Sequence, residues 1–229
     1  MMEMKLVYKG KTKDVYDLED GTYLFQFKDD LTGTDGVFDP GANTVGLSIE
    51  GAGLAGLKLS GHFFSLLQES GIPSHFISAD FEKATMTVHP AVRIGQGLEV
   101  ICRYRAVGSF IRRYGAYVQP GTLLPAYVEM TLKDDERGDP LITRECLQLL
   151  DILEEGEYDT LVDMTRRICQ VIKDDLAAKG MELYDIKLEF GRCEGKLTLI
   201  DEISAGSMRV FAGAENLQPL ELSARVLHN

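Results

Sequence analysis

The chain has 229 residues, 45% hydrophobic and 26% charged, with a formal net charge of −12. That length can bury a substantial core as one large domain or two small ones, and the composition excludes a disordered chain. The acidic balance argues against general binding to nucleic acid or to an anionic membrane, so any phosphate site must be local.

The first residues lack the long apolar segment of a signal peptide, and no later run is long enough to span a bilayer, so a cytoplasmic protein is expected. Cys102, Cys146, Cys169 and Cys193 form no C-x-x-C pair, and His62, His75, His89 and His228 are dispersed. Neither a disulfide framework nor a zinc site is expected from such spacing.

Strands are predicted over 5–8, 14–16 and 23–27, with Gly10 and Gly21 at the turns of an antiparallel meander. Gly10 with Lys9, Lys11 and Lys13 permits close backbone approach and offers ammonium groups to nucleotide phosphates; a surface hairpin with solvated lysines accounts for the same residues. The stretch is neither a P-loop nor a dinucleotide fingerprint. Residues 29–56 crowd glycine, aspartate and threonine together, keep apolar periodicity only near 45–49, and read as a long mobile loop of the kind that serves as a lid. A helix over 54–70 stops at Gly71-Ile72-Pro73.

Strands are expected over 75–77, 84–88 and 98–104. No regular βαβ alternation appears, so the predicted class is α+β, with a boundary near Pro90 separating a β-rich domain, 1–90, from a larger α+β domain, 91–229. Arg103, Arg105, Arg112 and Arg113 then gather positive charge around Gly108-Ser109. Arg103 and Arg105 share a strand face, and Ser109 is placed to cap the short helix 110–114, whose N-terminal dipole favours a phosphate. A phosphate clamp and a capped surface helix with paired arginines both fit. A strand at 127–132 leads to the acidic turn at Lys133-Asp134-Asp135, a solvated loop whose lysine can also receive a substrate carboxylate. Helices follow over 144–153 and 160–178, the second through Leu161, Met164, Ile168, Val171, Ile172 and Leu176.

The most telling stretch is the hairpin from Asp185 to Glu202. Alternation puts Ile186, Leu188 and Phe190 on one face and Asp185, Lys187 and Glu189 on the other, and the returning strand delivers Asp201 and Glu202. Glu189 and Asp201 on neighbouring strands suit a divalent cation, and Lys187 beside them supplies positive charge where phosphoryl charge develops. A surface ladder of salt bridges is the alternative.

Taken in order, these segments resemble the SAICAR synthetase family: Gly10-Lys11-Thr12-Lys13 with Val15-Tyr16, Phe27-Lys28-Asp29-Asp30, Asp35-Gly36, the run from Gly71 to His75, Arg103 with Gly108-Ser109, Lys133-Asp134-Asp135 with Gly138-Asp139-Pro140, the run from Asp185 to Gly191, and Asp201-Glu202-Ile203-Ser204 with Arg209. The resemblance implies an ATP-dependent ligase of purine biosynthesis that joins L-aspartate to the carboxylate of carboxyaminoimidazole ribonucleotide through an acyl phosphate. It implies a small N-terminal sheet with a helix, a larger α+β part, and an ATP cleft between them.

Carried over by position, Lys11, Lys13, Val15 and Lys187 would serve ATP, and Glu189 and Asp201 would hold Mg2+. Lys187, Glu189 and Asp201 would form the catalytic set, while Arg103, Ser109, Lys133, Asp185 and Arg209 would bind substrate. Partners would be small molecules, with neither nucleic acid nor membrane, and a homodimer is the candidate assembly. No general base is assigned. The chain departs from the family's pattern at Ala205-Gly206, at Val210-Phe211-Ala212, around Arg105, in the loop 38–43, and in a C-terminal helix expected to be shortened or absent. These departures keep open a ligase of the same chemistry with another carboxylate or amino acid, and a non-catalytic ATP-binding homologue.

Overall fold

A computed structural model describes residues 4–228. In chain order the elements are β1 (Lys5–Lys9), β2 (Lys13–Asp17), β3 (Tyr23–Phe27), β4 (Asp30–Thr34), β5 (Val37–Phe38), β6 (Val45–Ser48), α1 (Ala52–Glu69), β7 (Phe76–Asp80) and β8 (Thr85–Val88). Then come β9 (Val92–Arg93), β10 (Leu98–Arg105), α2 (Ser109–Tyr114), β11 (Leu123–Leu132), α3 (Arg144–Leu149), α4 (Glu157–Ala178), β12 (Glu182–Cys193), β13 (Lys196–Ile200), β14 (Met208–Ala212), β15 (Glu215–Asn216) and α5 (Pro219–Leu227). The class is α+β, as the mixed pattern predicts. Among the described residues, no helix is long and apolar enough to cross a membrane.

Two compact units form, and the division is not a single cut. The first comprises residues up to 91 and takes back 202–207 and 217 onward; the second holds 92–201 and 208–216. In the first unit, β1, β2, β3, β8 and β7 make an antiparallel sheet in that order. Helix α1 packs on it through Leu57, Phe63, Phe64 and Leu67, all fully buried, and meets Leu222 and Val226 of α5. Burial of each such side chain contributes roughly 1.5–3 kcal/mol, so this apolar face dominates the unit's stability.

The stretch expected as a mobile loop, 29–56, is instead largely structured: β4 pairs with β5 and with β6. Leu31 and Phe38 are buried, which anchors a segment whose glycines and aspartates hide its periodicity. Asp29 explains part of that composition. Its carboxylate accepts hydrogen bonds from the backbone N–H groups of Gly51, at 3.1 Å, and Gly53, at 2.9 Å, at the start of α1. A negative charge there satisfies orphan donors and complements the helix dipole.

In the second unit, β11, β10, β12, β14 and β15 form the central sheet, with β13 and β9 also pairing to β12. Helix α4 covers one face, burying Ile168, Cys169, Ile172 and Leu176 against Val100 and Cys102 of β10 and Ile186, Leu188 and Phe190 of β12. The helix starts at Glu157, three residues before its predicted start, whereas α3 ends at Leu149, four residues short of its prediction. The strands β14 and β15 have no counterpart in the sequence reading, and α5 provides the C-terminal helix expected to be shortened or absent. Pro219 at the first turn of α5 suits a position whose N–H would be unpaired anyway.

Candidate active site

The Gly10 hairpin of the first unit is held in a fixed shape. A Cβ on Gly10 would lie 2.5 Å from the carbonyl oxygen of Lys13, so only glycine fits this turn. Lys28 donates from Nζ to the Gly10 carbonyl at 2.7 Å and pairs with Asp14 at 2.8 Å, while its N–H reaches the Thr12 carbonyl at 2.8 Å. Lys11 is exposed in the turn, Val15 is half-buried on β2, and the Lys13 ammonium pairs with Glu202 and lies 5.8 Å from the centre of the Phe25 ring.

The second unit carries its charges on the sheet face turned away from α4. Alternation along three neighbouring strands selects them: Glu99, Ile101 and Arg103 from β10, Glu129 and Thr131 from β11, and Asp185, Lys187 and Glu189 from β12. Cross-strand register pairs Glu99 with Glu189, Ile101 with Lys187, Arg103 with Asp185, Glu99 with Thr131, Ile101 with Glu129, and Asp185 with Arg209. Opposite charges interlock across this grid.

At one end, Arg103 is 2% exposed. Its guanidinium donates to Asp185 Oδ2 at 2.5 Å, to Glu129 Oε1 at 2.7 and 3.0 Å, and to the Ser109 hydroxyl at 2.8 Å. Arg209 donates to both oxygens of Asp185, at 2.8 and 3.1 Å. Arg113 pairs with Glu129. Contrary to the expectation from sequence, Ser109 does not cap α2: the cap residue is Gly108, and Ser109 is the first helical residue, its hydroxyl taken by Arg103. Gly108 has φ of 55°, and a Cβ there would stand 2.7 Å from an Arg209 guanidinium nitrogen, so the missing side chain lets that arginine lie against the backbone.

At the other end, Lys187 donates to Glu99 Oε1 at 2.7 Å, and Thr131 to Glu99 Oε2 at 3.0 Å. Lys133, which follows β11, pairs with Glu189. Burial by itself would lower the Lys133 ammonium's pKa, but the charges of Glu189 and Asp201 outweigh it and hold the pKa above the ordinary lysine value. Lys187 is likewise raised, with Glu99 overcoming desolvation. Glu189 lies opposite Ile200 in register, which brings in Asp201 immediately beyond it. Asp201 directly follows β13 with φ of 70°, a left-handed turn that aspartate tolerates.

The donor set fits magnesium. Among the described residues no group of three or more His, Cys, Asp or Glu side chains could hold a metal, and Glu189 with Asp201 offers two carboxylates. Magnesium is commonly held by one or two carboxylates, with substrate phosphates and water completing its shell. Both carboxylates already act on one cation, the Lys133 ammonium.

The structure therefore gathers Arg103, Ser109, Asp185 and Arg209 at one end of the face, and Lys133, Lys187, Glu189 and Asp201 at the other. Lys11, Lys13 and Val15 belong to the first unit. Sequence reasoning missed Glu99 and Glu129. Their signal was present: each is a lone acid inside an apolar strand, at even spacing from another charged residue of the same face.

The family model for SAICAR synthetase matches residues 6–222. A phosphoribosylaminoimidazole-succinocarboxamide synthase of Clostridium tetani is 58% identical over 226 residues, 98% of this chain and 100% of that one. A solved SAICAR synthetase in complex with ADP superposes with a TM-score of 0.84 at 30% identity, covering 99% of this chain and 98% of the other. The phosphoribosylaminoimidazole-succinocarboxamide synthase of Ehrlichia chaffeensis gives 0.82 at 25% identity over 98% and 92%. With a charged sheet face built from the motif residues and matches that run nearly end to end, this chain belongs to the SAICAR synthetase family, ATP-dependent ligases that form SAICAR in purine biosynthesis.

Proposed function

We propose that this protein joins L-aspartate to the carboxylate of carboxyaminoimidazole ribonucleotide at the expense of ATP. A carboxylate is inert to amines at neutral pH. Transfer of the γ-phosphoryl group of ATP to a carboxylate oxygen releases ADP and leaves an acyl phosphate; the aspartate amine then attacks the acyl carbon, inorganic phosphate departs and the amine loses a proton. In this reading the second unit's arginine end, Arg103, Ser109 and Arg209 with Asp185, receives the ribonucleotide and spends remote binding energy on aligning its carboxylate. Glu189 and Asp201 hold magnesium, which neutralises phosphate charge when bound. Lys187, fixed by Glu99, keeps an ammonium where phosphoryl charge develops. Lys133 serves the substrate carboxylate, and in the first unit Lys11, Lys13 and Val15 serve the nucleotide. Its partners are small molecules of the cytoplasm, in keeping with a net charge of −12.

One observation carries this reading: the charged sheet face is polarised. Three arginines against two carboxylates leave one positive charge in excess at one end, while at the other Glu99, Glu189 and Asp201 outnumber Lys133 and Lys187. An anionic phosphate suits the first and a divalent cation the second. The test is ADP release with the ribonucleotide across a panel of amines. Aspartate-dependent turnover is expected; turnover with another amine alone refutes the substrate, and ATP binding without turnover refutes the ligase.

A further inference from the structure

The arginine end contains two residues with no role so far. Glu129, on β11, is 4% exposed, and a single oxygen, Oε1, accepts from Nε and Nη2 of Arg103 and from Nη2 of Arg113. Arg103 itself is nearly spent on protein partners: Glu129, Asp185, the Val107 carbonyl at 3.4 Å and the Ser109 hydroxyl. Only the bonds to Ser109 and to the Val107 carbonyl can be handed to a ligand oxygen without baring a buried carboxylate. The Arg113 and Arg209 side chains stay more accessible, at 27% and 14%.

Glu129 also links two elements. Ser109 and Arg113 stand four residues apart on α2 and so share one side of that helix. Through Glu129 the strand grips the helix side that carries both. Within this cluster, Glu129 Oε2 and Arg113 Nε are buried with no hydrogen-bond partner among the described residues. An unmet acceptor and an unmet donor in one cluster mark a network with capacity left for another polar group.

We propose that Arg113 belongs to the phosphate clamp, and that Glu129 is the positioning residue that aims Arg113 and Arg103 at the ribonucleotide's 5′-phosphate. This rests on the placement of that phosphate at Arg103, Ser109 and Arg209. Holding two long side chains in place beforehand spares the ligand the entropy of ordering them. Glu129's own charge opposes the phosphate, which separates two roles: a mere counterion should improve binding when neutralised, whereas a positioning group should weaken it.

The test is calorimetric titration of the full chain with SAICAR, the product ribonucleotide, and with the same compound lacking its 5′-phosphate. Glu129→Gln should weaken binding of the phosphorylated compound about tenfold and change that of the nucleoside by less than about twofold. Arg113→Gln, which leaves the Glu129–Arg103 pair intact, should do the same and decides the matter alone if Glu129→Gln does not fold. Unchanged or tighter ribonucleotide binding, or an equal loss for both compounds, overturns the proposal. Arg209→Ala is the control. If it erases the preference for the phosphorylated compound while the other two variants keep it, this proposal fails and the phosphate placement stands; if it leaves the preference intact, the placement itself fails.

Discussion

Gly108→Ala separates backbone strain from site geometry in one substitution. Gly108 has φ of 55° and ψ of −132°, a region open to glycine and strained for alanine, so the backbone alone should cost about 1–3 kcal/mol. The new Cβ would also come within 2.7 Å of Arg209 Nη1 and 2.9 Å of its Cζ, so the guanidinium must move off Asp185, to which it donates at 2.8 and 3.1 Å. A charge-assisted hydrogen bond from the same guanidinium to the substrate phosphate is worth about 1.5–3 kcal/mol, so misplacing Arg209 converts to roughly a 10- to 160-fold rise in KM for the ribonucleotide. KM for ATP should stay within about twofold, because the displaced group lies at the arginine end, where the ribonucleotide is proposed to bind. Gly180→Ala is the reference: φ is 73° and a Cβ there meets nothing within 4 Å, so it should lose a comparable part of the stability without touching KM. Urea unfolding and steady-state kinetics on both variants give the answer. If Gly108→Ala and Gly180→Ala share the same ribonucleotide KM, Arg209 does not grip that substrate.

Glu189→Gln removes one of the two proposed magnesium ligands and should lower magnesium-dependent ADP release by on the order of 100- to 1000-fold, with the circular dichroism spectrum unchanged; unaltered turnover would remove Glu189 from the metal. Phe63→Ala empties a fully buried position on α1 and should cost about 3–5 kcal/mol in urea unfolding. Asp29→Ala strips the carboxylate from the start of α1 and should cost about 0.5–2 kcal/mol; no change would mean that water satisfies those amides equally well.

The hairpin from Asp185 was legible because period-two alternation is strong where one face is buried: Ile186, Leu188 and Phe190 lie under α4 and the charges between them lie opposite. Register was not legible, since a strand's sequence does not name its neighbours, and the pairing of Glu99 with Glu189 appears only once β10 and β12 are aligned. The segment 29–56 misled for a different reason. Asp29 works as a helix cap for α1, and Asp35-Gly36, in the left-handed region, turns β4 into β5, so residues that locally signal a loop are the fittings of a small sheet. Ser109 misled because a neighbouring arginine competes for its hydroxyl. β14 escaped notice because Arg209 interrupts its short apolar run.

The interleaved division of the chain bears on how it is made. The first unit is closed by late segments: the Ser60 hydroxyl donates to the Ile203 carbonyl at 3.1 Å and the Ser223 hydroxyl to the Ala55 carbonyl at 3.3 Å, with α5 packed on α1. As the polypeptide leaves the ribosome, α1 and the sheet it packs on emerge before 202–207 and α5, which complete the helix's cover, and the second unit likewise waits for β14 and β15 to follow 92–201. The unit begun first is thus completed last, and the side of α1 that meets α5 stays uncovered until that helix has been made.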